Sequence, residues 1–245
     1  MEKIGDDANK KKLILVAIGG PSSSGKTTIT KNLVKLFTSC KIVHQDDFYK
    51  PDDEIPLDPT TNEQNWDHPD AIDFHKLKNF IKKIRKYGSS EVNEKFDTLE
   101  PDIKIKLSEE EINHLKKLVD KFENYDLVIV DGFMLFHDEE LARLFDLKLF
   151  YYADYETLKT RRSKRKGYST VAGFWVDPPN YFDDYVWPAY EKFHKHLFVD
   201  EDVSGELNEY SKSLEIRGYK NSDDSKLADM VEWSIGQLSR YIDSK

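Results

Sequence analysis

Cys40 is the only cysteine among 245 residues, so no disulfide can form within the chain, and a reducing, cytoplasmic compartment is the expected setting. Long hydrophobic runs are missing too. No stretch approaches the roughly 20 apolar residues that cross a bilayer. Residues 1–12, with Asp6, Asp7 and three consecutive lysines, lack the apolar core of a signal peptide. No membrane role is expected. The third absence is surplus positive charge: 37 Lys and Arg stand against 46 Asp and Glu, a formal net charge of −9. A general nucleic-acid surface needs the opposite sign. Small molecules, held in a local basic pocket, are the expected partners, and a monomer is the expected state. No internal repeat occurs.

What is present is a chain with 38% hydrophobic and 13% aromatic residues, enough to fold despite 34% charge. Its length suits one α/β domain with insertions. A flexible N-terminal segment, 1–12, should precede a single domain over 13–245. Residues 13–18 are continuously apolar and β-branched and read as a buried strand. Ile29, Leu33, Leu36 and Phe37 then recur at helical spacing. Further strands are expected at 41–44, 127–130, 147–152 and 197–199. Helices are expected over 69–87, after Asp154, over 181–197 with a kink at Pro188, and over 228–241. The charged segment 88–124 reads as an insertion, with a capping box at Ser108-Glu109-Glu110-Glu111. Residues 166–180 are loop-like and, with the helix before them, form a lid region over 154–180. Alternating strands and helices imply a parallel sheet of about five strands covered on both faces.

The run Gly20-Pro21-Ser22-Ser23-Ser24-Gly25-Lys26-Thr27 fits G-x-x-x-x-G-K-[ST] between a strand and a helix. That is a phosphate cradle in its expected setting. Glycines let the loop curl so that backbone N–H groups converge on an anion, and the helix N-terminus adds partial positive charge. Lys26 would reach the outer phosphates of ATP, and Thr27 would offer its hydroxyl to Mg²⁺. Ser22, Ser23, Ser24 and Thr28 complete the nucleotide-binding stretch.

Asp131 ends an apolar strand at the sheet edge where open α/β folds bind ligands, so its carboxylate can hold a Mg²⁺-bound water opposite Thr27. Asp46 and Asp47 follow a strand at the same edge. Phosphoryl transfer to an alcohol needs a carboxylate beside the acceptor oxygen, and either residue fits. The helix after Asp154 carries Arg161, Arg162 and Arg165. Arg161 and Arg165, one turn apart, share a face that can meet a triphosphate. Each feature has a plainer reading: a turn-forming Asp, an Asx turn, a solvated basic face. The phosphate loop weighs against all three.

Six segments in order, Gly20 to Thr28, His44-Gln45-Asp46-Asp47-Phe48-Tyr49-Lys50, Asn65-Trp66-Asp67, Asp131-Gly132-Phe133, Arg161 to Arg165 and Asp177-Pro178-Pro179-Asn180-Tyr181-Phe182-Asp183, resemble the nicotinamide riboside kinases. That family belongs to the uridine-kinase-like branch of phosphate-loop kinases. The resemblance implies the P-loop kinase fold and transfer of phosphate from ATP, with Mg²⁺, to the 5′-hydroxyl of nicotinamide riboside, and of nicotinic acid riboside as well. It implies that Asp46 is the catalytic carboxylate and touches the metal, and that Asp67 binds ribose hydroxyls. It also implies that Trp66 and Tyr168 sandwich the pyridine ring, with Phe48 and Tyr49 alongside. Arg162 falls on the substrate side, Arg161 and Arg165 on the nucleotide side. A pyridinium is a flat cation, favoured between ring faces by about 0.5 to 2 kcal/mol each. Two other readings remain: a uridine or cytidine kinase, and a non-catalytic nucleotide-binding regulator. Against the regulator, no Asn-Lys-x-Asp guanine motif occurs.

Overall fold

A computed structural model describes residues 11–59, 61–92, 106–165, 167–170 and 173–245. In chain order the main elements begin with β1 (Lys12–Gly19), α1 (Lys26–Leu36), β2 (Cys40–His44), α2 (Phe74–Tyr87) and α3 (Glu109–Val119). Next come β3 (Tyr125–Gly132), α4 (Glu139–Ala142), β4 (Leu147–Tyr152), α5 (Tyr155–Ser163), β5 (Tyr168–Thr170) and β6 (Gly173–Trp175). The last are α6 (Trp187–His194), α7 (Glu209–Ser213), β7 (Ile216–Lys220) and α8 (Leu227–Asp243). Five parallel strands form one sheet in the order β2-β3-β1-β4-β7.

The continuous apolar run of β1 has its cause in this order, because a central strand is buried on both faces. Leu15 and Ala17 enter one core with Leu77, Ile81 and Ile84 of α2 and Tyr190 of α6. Ile14, Val16 and Ile18 enter the other with Ile29 and Leu33 of α1, Leu115 of α3 and Val231 and Ile235 of α8. Period-two alternation along β1 thus feeds two helical layers.

All strands run the same way, so their C-terminal ends share one edge. Register pairs Ile18 with Asp131 and His44 with Asp131. The loop after β1, the turn after β2 and the last residues of β3 are therefore neighbours.

Several boundaries depart from the sequence expectations. The fifth strand is β7, not 197–199: Lys195–Leu197 forms a 3₁₀ turn and Phe198 makes only an isolated bridge to Leu207. Of residues 216–220 only Ile216 is fully buried, and the strand carries Arg217 and Lys220, so no apolar run marked this edge strand. The helix expected from residue 69 starts at Phe74, where the Asp73 side chain accepts from Lys76 N–H (2.8 Å), and a 3₁₀ turn over Pro69–Ala71 precedes it. Instead of a simple kink at Pro188, a π-helical stretch, Phe182–Val186, precedes α6, and Pro188 sits in its first turn, where its missing N–H costs little. The loop-like 166–180 segment contains the antiparallel β5–β6 hairpin. The capping box forms as expected, with reciprocal Ser108 and Glu111 bonds. Residues 93–105 of the expected insertion and 1–10 of the expected N-terminal segment lie outside the described residues. No helix among the described residues is long and apolar enough to cross a membrane.

Candidate active site

Between β1 and α1 the chain turns through Gly20, at φ +144°, Ser23, at φ +68°, and Gly25, at φ +94°. Left-handed and extended-positive φ values at closely spaced positions curl the chain tightly, and Ser24 N–H donates to Pro21 O (3.2 Å) across the turn. Lys26 Nζ donates to Pro21 O (3.3 Å), which folds the side chain back over the loop. The Ser23 and Ser24 hydroxyls are buried without a hydrogen-bond partner in the structure, a state that a ligand's acceptors would relieve. Thr27 and Thr28 are partly exposed in the first turn of α1.

Across the edge, Asp131 is 4% exposed. His44 Nδ1–H donates to its Oδ1 (2.6 Å), which fixes the imidazole tautomer, while its Oδ2 is buried without a hydrogen-bond partner. Asp46 is exposed in the 3₁₀ turn Gln45–Phe48, and Asp47 beside it is half-buried with its Oδ2 likewise unsatisfied. Burial pushes the Asp47 carboxyl upward, and the Asp131 charge adds to the rise against the opposing influence of His44. The two adjacent acids thus differ in setting. Only Asp46 presents its side chain to solvent.

On the third side stand Tyr49, Trp66 and Asp67. Tyr49 packs edge-on to Trp66 (5.4 Å between centroids) and stacks on Phe133 (6.1 Å). Burial raises the Tyr49 hydroxyl well above its ordinary value, and the charges of Asp46 and Asp67 push it further. Asp67 is also raised, by burial first, against the pull of the Arg162 charge and a hydrogen bond from the Tyr181 hydroxyl; the Lys26 charge also lowers it. Pro21 and Ser22 of the loop, Asp67, Phe133 and His194 line one small cavity. The loop and the aromatic segment therefore adjoin, and the Asp46 charge reaches the same Tyr49 that the Asp67 charge does. Phe48 is set apart from its neighbours. Its side chain is 2% exposed in the core, 5.7 Å from the Phe80 ring, because a large apolar ring after a buried strand packs inward.

The arginines separate more than their spacing predicts. Arg161 donates to Ser222 O (3.0 Å) and Asp223 Oδ1 (3.3 Å), beside the phosphate loop's outer side. Arg162, expected on the substrate side, is 9% exposed; Nε and Nη2 grip Asp177 (2.6 and 2.9 Å) and Nη1 donates to Ser22 Oγ (2.7 Å). It thereby bridges the segment after the hairpin to the loop, with its guanidinium over the Tyr181 ring. The shared helical face expected for Arg161 and Arg165 does not form. Helix α5 ends at Ser163, so exposed Arg165 lies beyond it. Tyr168 opens β5, and its side chain lies outside the described residues.

Sequence reasoning gave no role to His44, Asp177 and Tyr181, although each stands inside a segment already singled out. It missed Asn221 altogether, since a lone Asn after an unrecognised strand carries no signal.

Residues 15–194 match the Phosphoribulokinase / Uridine kinase family. The chain is 43% identical to the nicotinamide riboside kinase of Saccharomyces cerevisiae over 93% of its own length and 96% of the relative's. It is 38% identical to the Eremothecium gossypii protein of that name, with 92% of each chain covered. For the Schizosaccharomyces pombe protein of that name the identity is 36%, over 93% and 97%. Identity of this order across nearly the whole of both chains leaves no room for a chance match of one motif. The chain belongs to the phosphoribulokinase/uridine kinase family, within its nicotinamide riboside kinase group.

Proposed function

We propose that this protein moves the γ-phosphoryl group of ATP to the 5′-hydroxyl of nicotinamide riboside, giving nicotinamide mononucleotide and ADP in salvage of NAD. Nicotinic acid riboside, with the same ribose and a pyridinium ring, is included as a second acceptor. What supports the reading is that the phosphate loop, the turn carrying Asp46 and the end of β3 lie at one edge of the sheet, with the Lys26 charge acting on Asp67 and the charges of Asp46 and Asp67 both acting on Tyr49.

Lys26 and the loop N–H groups hold the outer phosphates, and Arg161 and Arg165 offset charge from the nucleotide side. Asp46 orients the ribose 5′-hydroxyl and takes its proton as the new oxygen–phosphorus bond forms and the β–γ bridge bond breaks. Asp67 holds the ribose hydroxyls. Trp66, braced by Tyr49, offers a ring face to the pyridinium, with Tyr168 as the opposite face. Arg162 ties the closing segment to Ser22 and neutralises charge near the transferring group.

Thr27, Asp131 and Asp46 would hold Mg²⁺. The donor set fits: hard oxygens, including a buried Asp131 Oδ2 without a hydrogen-bond partner. Among the described residues no group of three or more His, Cys, Asp or Glu could hold a metal alone, so such a cation must draw ligands from phosphate and water. Held by these residues, a Mg²⁺ would offset negative charge on the phosphates.

A riboside panel assayed with ATP and Mg²⁺ tests the reading. Nicotinamide riboside should turn over faster than uridine at equal concentration, because a neutral uracil gains nothing from the cation–ring contacts. Faster turnover of uridine would make the chain a pyrimidine nucleoside kinase. ADP binding without transfer to any riboside would make it a regulator. In the same assay Trp66→Ala should raise the riboside KM by about tenfold, the equivalent of about 1.4 kcal/mol, with the KM for ATP unchanged. An unaltered riboside KM would remove Trp66 from the ring site.

A further inference from the structure

Asn221 lies beyond the family match, at the end of the C-terminal edge strand, yet it reaches the phosphate loop. Its backbone N–H donates to Tyr152 O (2.7 Å) and prolongs the β4–β7 ladder, so the sheet itself delivers the side chain. That side chain is buried, 4% exposed. Nδ2 donates to Ser24 O (2.7 Å), and Oδ1 accepts a longer contact from Arg161 Nη2 (3.5 Å). A Cβ on Gly25 would stand 2.8 Å from Nδ2, so the amide is pressed against the loop at the point where it has no side chain.

We propose that Asn221 is a positioning residue for the phosphate loop, fixing the Ser24–Gly25 peptide in the orientation that binds phosphate. A trans peptide points its C=O and N–H in opposite directions. Holding Ser24 O outward on Asn221 therefore aims Gly25 N–H inward. Gly25, at φ +94°, has the backbone freedom to let that peptide turn over, and no Cβ to oppose it. An anion site built from N–H groups fails if one peptide flips, because a carbonyl oxygen then faces the phosphate. One amide touches both the loop and the arginine beside it. This inference rests on the reading of the loop as the ATP site.

The test uses Asn221→Leu, similar in size but unable to donate, and Asn221→Ala, in the full chain. Both should raise the KM for ATP and the calorimetric Kd for ADP by about tenfold or more, the scale of one lost hydrogen bond to a peptide that must be held. The KM for nicotinamide riboside should stay within about twofold, a split that general destabilisation would not produce. In an Arg161→Ala background, Asn221→Leu should still weaken ADP binding. If it adds nothing there, Asn221 acts only through the arginine and the inference is overturned. ADP binding like the wild type, equal rises in both KM values, or loss of cooperative melting in both variants would overturn it as well. A wild-type chain that binds no ADP would overturn the loop reading and this inference together.

Discussion

Asp46→Ala is expected to lower turnover by a factor on the order of 10² to 10⁴ while the Kd for ADP stays within about threefold of the wild type. The size follows from the role. A carboxylate that orients the acceptor hydroxyl and takes its proton acts in the transition state, and such a loss falls on kcat and kcat/KM together. The neighbouring acid does not replace it. Asp47 is half-buried, with one carboxylate oxygen enclosed in the protein, so it is less accessible to an incoming hydroxyl than exposed Asp46. Because Asp46 is exposed in a 3₁₀ turn, truncation leaves no internal void, and the melting temperature should fall by no more than a few degrees. Asp46→Asn separates proton transfer from shape, since an amide keeps the outline of the side chain but takes no proton; it should be nearly as inactive as the alanine variant. Turnover near the wild-type value in either protein would remove Asp46 from the chemistry and move attention to Asp47.

Where the sequence was legible, one residue pattern had one physical cause. The apolar run of β1 could only be a strand buried on both faces, and the glycine-bounded loop after it could only begin a helix. Asp131 was legible for the same reason: the first charged residue after four apolar ones marks the end of a central strand. Legibility failed where tertiary partners decide. Nothing local distinguishes Phe48, which packs on Phe80, from Tyr49, which faces the site; the two differ in which side of a short turn meets the core. Arg161 and Arg165 looked like one face because helical spacing was assumed to persist, yet the helix stops at Ser163. The resemblance placed Arg162 on the riboside side, and its charge does act on Asp67, but its bridge from Ser22 to Asp177 spans 140 and 15 residues, and no periodicity reports such contacts. The edge strand β7 escaped notice because one of its faces is solvated and its residues are mostly polar. Missing that strand meant missing Asn221.

Gly20→Ala should be the most damaging single-methyl change in the loop. A Cβ at Gly20 would lie 1.9 Å from Tyr151 O and 2.9 Å from Ser24 Oγ, and the backbone there holds φ +144°. Neither neighbour can give way cheaply. Tyr151 belongs to β4, next to β1 in the sheet, and its hydroxyl is bonded to Ser234 and to Met230 O inside the core. Moving its carbonyl shifts a central strand pair, so the loop must move instead, and the N–H groups that face the phosphates move with it. Overpacking against backbone together with a φ that L-residues avoid should cost about 3 to 5 kcal/mol, or a fall of very roughly 6 to 20 °C in melting temperature. Thermal stabilisation by ADP should disappear at the same time. Gly25→Ala offers the contrast. Its Cβ would meet only the end of the Asn221 side chain, at 2.8 Å, which can swing aside, so the cost there is mainly that of holding an alanine at φ +94°. That variant should melt closer to the wild type but bind ADP poorly, because the amide that swings aside is the one holding Ser24 O. Melting of Gly20→Ala within about 2 °C of the wild type, a shift of no more than about 1 kcal/mol, would show that the loop does not press against β4.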